Sequence, residues 1–326
     1  MTDTNAAHGA GIRYLSVDDA LSETTKEIDK ALKFSPSVIR RYTKHLAASR
    51  GKMIRAMSLI TCAQNKEGLV PPNAVKFAAA IEILHLATLV HDDIIDDADV
   101  RRGKLTLQRQ FGKRAAVICG DYLLTLALRL GADIPNRQDY LELDFPDYIS
   151  RVCFGELYQY MNNGNFDLSV YKYLKIISGK TAALFEASFF AGAVLSGAGG
   201  PEIRCYRRIG RYAGMIFQLT DDCMDFEATE NIARKPVQSD YEQNVFTLPL
   251  IHAFQKLAGF RERARKNEVT GPDVNEAVFK SGGLVYTRNI AKKYYNKCIK
   301  ILDEMDITAA KRNGIEAILG KALRVN

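Results

Sequence analysis

Val75-Lys76-Phe77-Ala78-Ala79-Ala80-Ile81-Glu82-Ile83-Leu84-His85-Leu86-Ala87-Thr88-Leu89-Val90-His91-Asp92-Asp93-Ile94-Ile95-Asp96-Asp97 is an apolar run that ends in four carboxylates. Its apolar residues recur at three- and four-residue steps, which predicts a helix with one face buried. The same steps run through Ala115 to Leu130, Tyr140 to Met161, Tyr171 to Leu195 and Ile203 to Phe226. Strand-like alternation is nearly absent. Breakers fall between the runs at Pro71-Pro72, Gly103, Gly112, Pro135-Asn136, Asn162 to Gly164, Gly197 to Pro201 and Gly282-Gly283. Short connections between about ten or more helices make an all-α, single-domain bundle the expected fold.

Composition narrows the class. A chain of 326 residues that is 47% hydrophobic, with nine prolines, has ample apolar surface for a core. The six cysteines are scattered, with no C-x-x-C pair and no Cys/His cluster at zinc spacing, so a reducing cytoplasm is expected and a disulfide framework is not. Residues 1–11 are small and polar and lack the order of a signal peptide, so they read as a flexible lead-in to one domain over 12–326. The apolar stretch from Thr181 to Gly197 is interrupted by Glu186 and reads as a buried core helix, and no transmembrane segment is expected. The net charge of +7 comes from Lys and Arg spread along the chain without interleaved aromatics, so small anions are favoured over nucleic acid as partners.

Two carboxylate clusters carry the chemistry. His91-Asp92-Asp93-Ile94-Ile95-Asp96-Asp97 and Gln218-Leu219-Thr220-Asp221-Asp222-Cys223-Met224-Asp225 both contain D-D-x-x-D at the end of an apolar helical run. Residues four apart share a helix face, so Asp92 points with Asp96 and Asp221 with Asp225. Like charges so placed repel, and Mg²⁺, which prefers oxygen ligands and bridges carboxylates to phosphates, is the natural counter-charge. An EF-hand is excluded, because the required Gly and Glu are missing after Asp92. The paired faces, Asp92 with Asp96 and Asp221 with Asp225, are where such a cation would sit, and the facing clusters suggest a diphosphate held between them. A diphosphate held between the clusters also needs cations. Lys52 and Arg55 stand three apart on one face, Arg101 and Arg102 follow the first cluster, and Lys180-Thr181 opens another apolar helix. Arg presents a planar fork that fits phosphate oxygens, which favours Arg55, Arg101 and Arg102 over other surface arginines. Lys180 and Thr181 read equally as an ordinary helix start, and His85 as a satisfied core histidine.

The strings A-T-L-V-H-D-D-I-I-D-D-A-D-V-R-R-G-K and F-Q-L-T-D-D-C-M-D-F resemble the two aspartate-rich motifs of the trans-isoprenyl diphosphate synthases, the polyprenyl synthetase family. The resemblance runs from Gly51-Lys52-Met53-Ile54-Arg55 through Gly120-Asp121 and Gly179-Lys180-Thr181 to Thr247-Leu248-Pro249-Leu250. It implies an isoprenoid-synthase bundle around a central cavity and condensation of isopentenyl diphosphate with an allylic diphosphate. On this resemblance Asp92, Asp96 and Asp221, with Asp93, Asp222 and Asp225 supporting them, hold about three Mg²⁺ ions bridging the allylic diphosphate. Lys180, Arg101, Thr181, Gln218 and Lys235 contact that substrate, and Lys52, Arg55, His85 and Arg102 hold isopentenyl diphosphate. One departure stands out. Val245 occupies the place where the family often has a Lys before T-L-P, and it cannot bind phosphate.

In the family a large aromatic four or five residues before the first Asp marks short products. Here those positions are the small Thr88 and Ala87, so the resemblance implies a long-chain product, of the kind used for quinone side chains and released near a membrane. A homodimer, or a pair with a second type of subunit, is the expected assembly. Three other readings share features with this one. A short-chain farnesyl or geranylgeranyl diphosphate synthase would share the motifs. A class I terpene cyclase would carry a second motif of mixed Asn, Ser and Glu, and a non-catalytic regulatory subunit would tolerate loss of Asp92 or Asp221.

Overall fold

The computed structural model describes residues 13–48, 51–133, 147–227, 241 and 243–324. The lead-in expected over 1–11 and the candidate Lys235 lie outside the described residues. Fifteen helices form among the described residues, with one short hairpin. They are α1 (Val17–Lys33), α2 (Arg40–Ala47), α3 (Ile54–Cys62), α4 (Asn73–Ile95), α5 (Leu107–Phe111), α6 (Lys113–Ala132), α7 (Tyr148–Tyr160) and α8 (Val170–Lys180). There follow α9 (Ala182–Leu195), α10 (Gly200–Glu227), α11 (Leu248–Lys256), α12 (Ala258–Arg265), α13 (Gly271–Ser281), α14 (Gly283–Asp303) and α15 (Ala309–Leu323). Local chemistry sets many of the starts. The side chains of Ser16, Thr106, Asp147, Ser169, Thr270 and Thr308 each accept a hydrogen bond from a first-turn N–H, and Pro201 stands in the first turn of α10, where no N–H is needed.

The centre of the bundle is α9, the helix expected to be buried. It packs on α10, α3, α4 and α7 and buries nearly every residue. Glu186, its one charge, is satisfied by Arg151 at 2.9 Å and Arg207 at 3.3 Å, which is how an acid survives in that setting. By length and composition α4 and α6 could each cross a membrane. Here they pack along each other, with Ala80, Ile83, Ala87 and Val90 of α4 in one buried cluster with Ala116, Cys119 and Leu123 of α6.

Two features differ from the periodicity reading. The run from Tyr171 to Leu195 breaks at Thr181, whose backbone bends where its hydroxyl donates to Gln218 Oε1 at 2.6 Å. The second feature is the hairpin, β1 (Val100–Arg101) paired antiparallel with β2 (Lys104–Leu105) directly after the first carboxylate cluster. Arg102 and Gly103 form its two-residue loop, both with positive φ as a primed turn requires. A strand of two residues has no alternation to detect in sequence.

Candidate active site

Both carboxylate clusters sit at helix C-termini, Asp92 to Asp96 ending α4 and Asp221 to Asp225 ending α10. A helix C-terminus carries partial negative charge, so anions there are disfavoured beyond their mutual repulsion. Burial adds to this. The Asp92 carboxyl is pushed up to about 7, first by loss of solvent and then by Glu156 and Asp96 nearby. Asp222 is likewise pushed up to about 7, by burial, although Tyr173 and Gln218 donate to it. Such a concentration of acid has no stabilising role, and it calls for cations.

Within each D-D-x-x-D the middle acid is tied to the protein. Asp93 is buried and accepts from Arg101 Nε at 2.5 Å, which locks the hairpin onto the end of α4. Asp222 accepts from the Tyr173 hydroxyl and from Gln218 Nε2 at 2.8 Å, and Gln218 in turn accepts from Thr181. The outer acids differ. Asp221 meets Arg324 at the end of α15, while the backbone carbonyl of Asp96 accepts from Gln243 Nε2 at 2.8 Å.

Lys180 reaches the first cluster because two helices cross almost in contact. A Cβ on Gly155 would strike the Lys180 backbone nitrogen, and one on Gly179 would lie 2.8 Å from the Arg151 carbonyl oxygen. That crossing sets Glu156 of α7 against Lys180, Nζ to Oε2 being 3.0 Å. Burial alone would lower the Lys180 pKa, but Glu156, Asp92 and Asp96 together raise it, so the ammonium stays charged. Lys180, Asp96, Gln218 and Asp222 line one pocket of about 100 Å³, which joins the two carboxylate clusters. Val245 lines it as well, beside the amide of Gln243.

A larger cavity of about 940 Å³ is lined from α4 by Glu82, His85, Leu86 and Leu89, one to two turns before the first carboxylate cluster. Lys52, Arg55, His85 and Arg102 all line it, with Glu82 the one carboxylate of α4 on that wall. Arg55 is 7% exposed, stacks over the Phe185 ring at 4.8 Å, and leaves its Nε without a hydrogen-bond partner. Burial brings its guanidinium down to about 10. His85 is held well below its usual value, first by burial and then by Arg55, Arg102 and Arg101, so it is a neutral imidazole. Gly51 makes room for Arg102, since a Cβ there would lie 2.7 Å from a guanidinium nitrogen. A buried, cation-rich cavity of this kind fits an anion with a small apolar body.

The small pocket is lined, among the described residues, by the carboxylates Asp96 and Asp222 and by no His or Cys, which suits a hard divalent cation. Among the described residues no three His, Cys, Asp or Glu side chains converge into a ready cage. Mg²⁺ suits that arrangement, because it keeps several waters and takes one or two carboxylates plus substrate phosphate. Asp92, Asp96 and Asp221, with Asp225, are the groups that would hold it, where it would neutralise charge on a diphosphate.

The remaining candidates separate by position. Arg101 is engaged by Asp93, whereas Arg102, its neighbour across the turn, lines the large cavity. Ala87 is 2% exposed in the seam between α4 and α6. Thr88 lies one turn before Asp92 and donates to the His85 carbonyl at 2.8 Å. Four contributors escaped the sequence reading: Glu156, Tyr173, Gln243 and Arg324. Only Gly155 and Gly179, small residues on two neighbouring helices, hinted at the crossing that brings Glu156 in.

A bundle of this kind, with paired carboxylate clusters at helix ends beside a cationic cavity, defines a class of enzymes acting on diphosphates. The polyprenyl synthetase family model matches residues 36–280. Heptaprenyl diphosphate synthase component 2 of Geobacillus stearothermophilus is 32% identical over 307 residues, covering 91% of this chain and 93% of the relative. Octaprenyl diphosphate synthase of Escherichia coli K12 is 32% identical over 293 residues, covering 87% and 88%. The crystal structure of polyprenyl synthase from Caulobacter crescentus CB15, complexed with calcium and isoprenyl diphosphate, superposes with a TM-score of 0.83 at 29% identity, covering 94% of this chain and 95% of that one. The chain belongs to the polyprenyl synthetase family and is a prenyltransferase of isoprenoid biosynthesis.

Proposed function

We propose that this enzyme is a Mg²⁺-dependent trans-polyprenyl diphosphate synthase, which condenses isopentenyl diphosphate with an allylic diphosphate to a long-chain product used for quinone side chains. The observation that carries the reading is the division of the site. A carboxylate-lined pocket with Lys180 suits a metal-bridged allylic diphosphate, and the cationic cavity with Lys52, Arg55, His85 and Arg102 suits a second, metal-free one. The names of the relatives, heptaprenyl and octaprenyl diphosphate synthases, support the long-chain reading.

The chemistry follows from that division. The C–O bond of the allylic diphosphate breaks, and Lys180, kept charged by Glu156, stabilises the departing diphosphate. Bound Mg²⁺ would supply further charge neutralisation at the same oxygens. Arg55, Lys52 and Arg102 hold isopentenyl diphosphate so that its double bond attacks the allylic cation, and the new cation loses a proton to the released diphosphate. Neutral His85 offers a hydrogen bond without claiming a proton, and Leu86, Leu89 and Phe217 keep water from the cation.

The growing tail leaves Asp92 along the face of Thr88, about 5.4 Å or one turn below, and then Leu84, which packs with Tyr148 and Phe190. With labelled isopentenyl diphosphate, farnesyl diphosphate and Mg²⁺, the purified chain is expected to yield products longer than twenty carbons on chromatography after dephosphorylation. Thr88→Phe should shorten them to fifteen or twenty carbons with the first condensations intact. Ala87→Phe tests the second small residue, and as it sits in the α4/α6 seam it also costs about 1–3 kcal/mol in overpacking. No incorporation by the chain alone would remove the reading in favour of a subunit that needs a partner, and wild-type products of fifteen or twenty carbons would favour the short-chain alternative.

Six free thiols, four of them buried, support a cytoplasmic setting. Exposed apolar side chains gather on α6 (Val117, Ile118, Leu128) and on α7 (Phe154, Leu157), which supports self-association through these helices. Sedimentation should give twice the chain mass of 36.4 kDa. Ile118→Glu with Leu128→Glu should shift it to the monomer, and a wild-type monomer would instead favour a second type of subunit, as the word component in the relative's name suggests for that protein.

A further inference from the structure

We propose that the turn joining α1 to α2 is a docking tip for an anionic membrane surface, with Phe34 and Val38 entering the lipid interface and Lys30, Lys33, Arg40, Arg41 and Lys44 facing the phosphates.

The charge pattern is the first argument. Between Asp29 and Glu67 the sequence contains no Asp or Glu, although the whole chain has 38 of them. Five cations of this stretch sit on the end of α1 and the start of α2, all exposed. Among the described residues Lys30 alone of the five has a carboxylate at the edge of reach, Glu27 at 4.0 Å, and Arg41 lies over the Tyr42 ring at 4.6 Å.

Side-chain direction is the second. Along the turn, Ser35 is 1% exposed and Ile39 8%, while Phe34 is 71% exposed and Val38 82%. Ser35 donates to the Ala31 carbonyl at 3.1 Å and its own carbonyl accepts from Arg40 Nε at 3.0 Å, and Ile39 joins the cluster that contains Leu32. The turn is therefore anchored at two points, and the fold leaves its two other apolar side chains outward. Exposed apolar residues on α6 and α7 lie along helix faces. Phe34 and Val38 instead stand on a tip ringed by cations, with the Lys33 ammonium 5.9 Å from the Phe34 ring centre. A ring and a branched chain at headgroup depth, with Lys and Arg at the phosphate layer, is how a peripheral protein meets an anionic bilayer.

The tip is coupled to the site by position. The helices it joins wall the large cavity, α1 with Thr25, Asp29 and Leu32 and α2 with Leu46 and Ala47. The purpose rests on the proposed long, water-insoluble product, whereas the docking itself does not.

Co-sedimentation of the full chain with vesicles tests it, using phosphatidylcholine alone and phosphatidylcholine mixed with phosphatidylglycerol. The chain is expected to pellet with the anionic vesicles only, and to be released as salt shortens the Debye length. Phe34→Ser with Val38→Ser, and separately Arg40→Gln with Arg41→Gln, should each weaken binding about tenfold, while Val285→Ser, at a 63% exposed position on α14, should bind as wild type. Prenyl transfer by the tip variants in detergent solution should equal that of the wild type. Failure of the wild type to bind anionic vesicles, or undiminished binding by the Phe34/Val38 variant, would overturn the proposal. So would a change in sedimentation coefficient caused by the tip variant in a chain that ignores vesicles, since the tip would then be a protein contact. Vesicle binding by a chain without prenyl transfer would support the tip while removing the proposed function.

Discussion

Asp92→Ala is expected to lower prenyl-transfer turnover by about two to three orders of magnitude, without loss of fold. The carboxylate ends α4 and faces Glu156 and Asp96, and although Lys180 and Arg101 stand near it, burial and the neighbouring acids outweigh them, which a bound divalent cation would reverse. Folding raises its pKa from 3.8 to about 7, so its ionised form opposes folding. That opposition is absent below pH 4, grows through the interval, and is complete above about 7. At pH 8 without metal the alanine variant should therefore melt no lower than the wild type. Adding Mg²⁺ should raise the melting temperature of the wild type and raise that of the variant much less. Asp221→Ala should behave alike in turnover, its partner Arg324 being left to solvent. Wild-type turnover in either variant, measured with labelled isopentenyl diphosphate, would end the metal assignment.

Arg55→Met should raise KM for isopentenyl diphosphate by about 30-fold to 5,000-fold, the equivalent of removing one partner from a buried charged pair at about 2–5 kcal/mol. KM for the allylic substrate should move by less than about threefold, because only uniform binding at one of two sites is lost. Arg55 is buried, its Nε has no hydrogen-bond partner, and Glu82, the nearest opposite charge, is also bonded to the Ala56 N–H at 2.9 Å. A diphosphate completes such a group. Met keeps the volume against Phe185 and removes a desolvated cation, so the melting temperature should hold or rise. Arg55→Lys should recover little, since an ammonium lacks the fork that engages two oxygens at once. Equal rises in both KM values would contradict the division into two sites.

How far each of these groups could be read in advance depends on the range of the interaction involved. Asp92 with Asp96, and Asp221 with Asp225, are related by one helical turn, and the periodicity of the preceding apolar runs already puts them on common faces. Lys52 and Arg55 are as local. The helical class, the buried α9 and the position of both motifs at helix ends follow from the same short-range pattern. The hairpin was illegible, because two paired residues carry no alternation and its driving contact is Arg101 to Asp93. A helix start at Lys180-Thr181 was legible, but the contact that fixes it, Thr181 to Gln218, was not, because Gln218 lies 37 residues away.

By itself, then, the sequence determined the bundle, its apolar seams and the two acid-rich helix ends, because each depends on residues within a turn or two of one another. The tertiary structure decided which acid does what. Asp93 and Asp222 became anchors, Glu156 was brought to Lys180 by the Gly155–Gly179 crossing, and Lys52, Arg55, His85 and Arg102 were gathered from two helices, a loop and a turn into one cavity. Those outcomes depend on contacts between helices far apart in the chain, where burial sets both the distance between charges and the solvent that screens them.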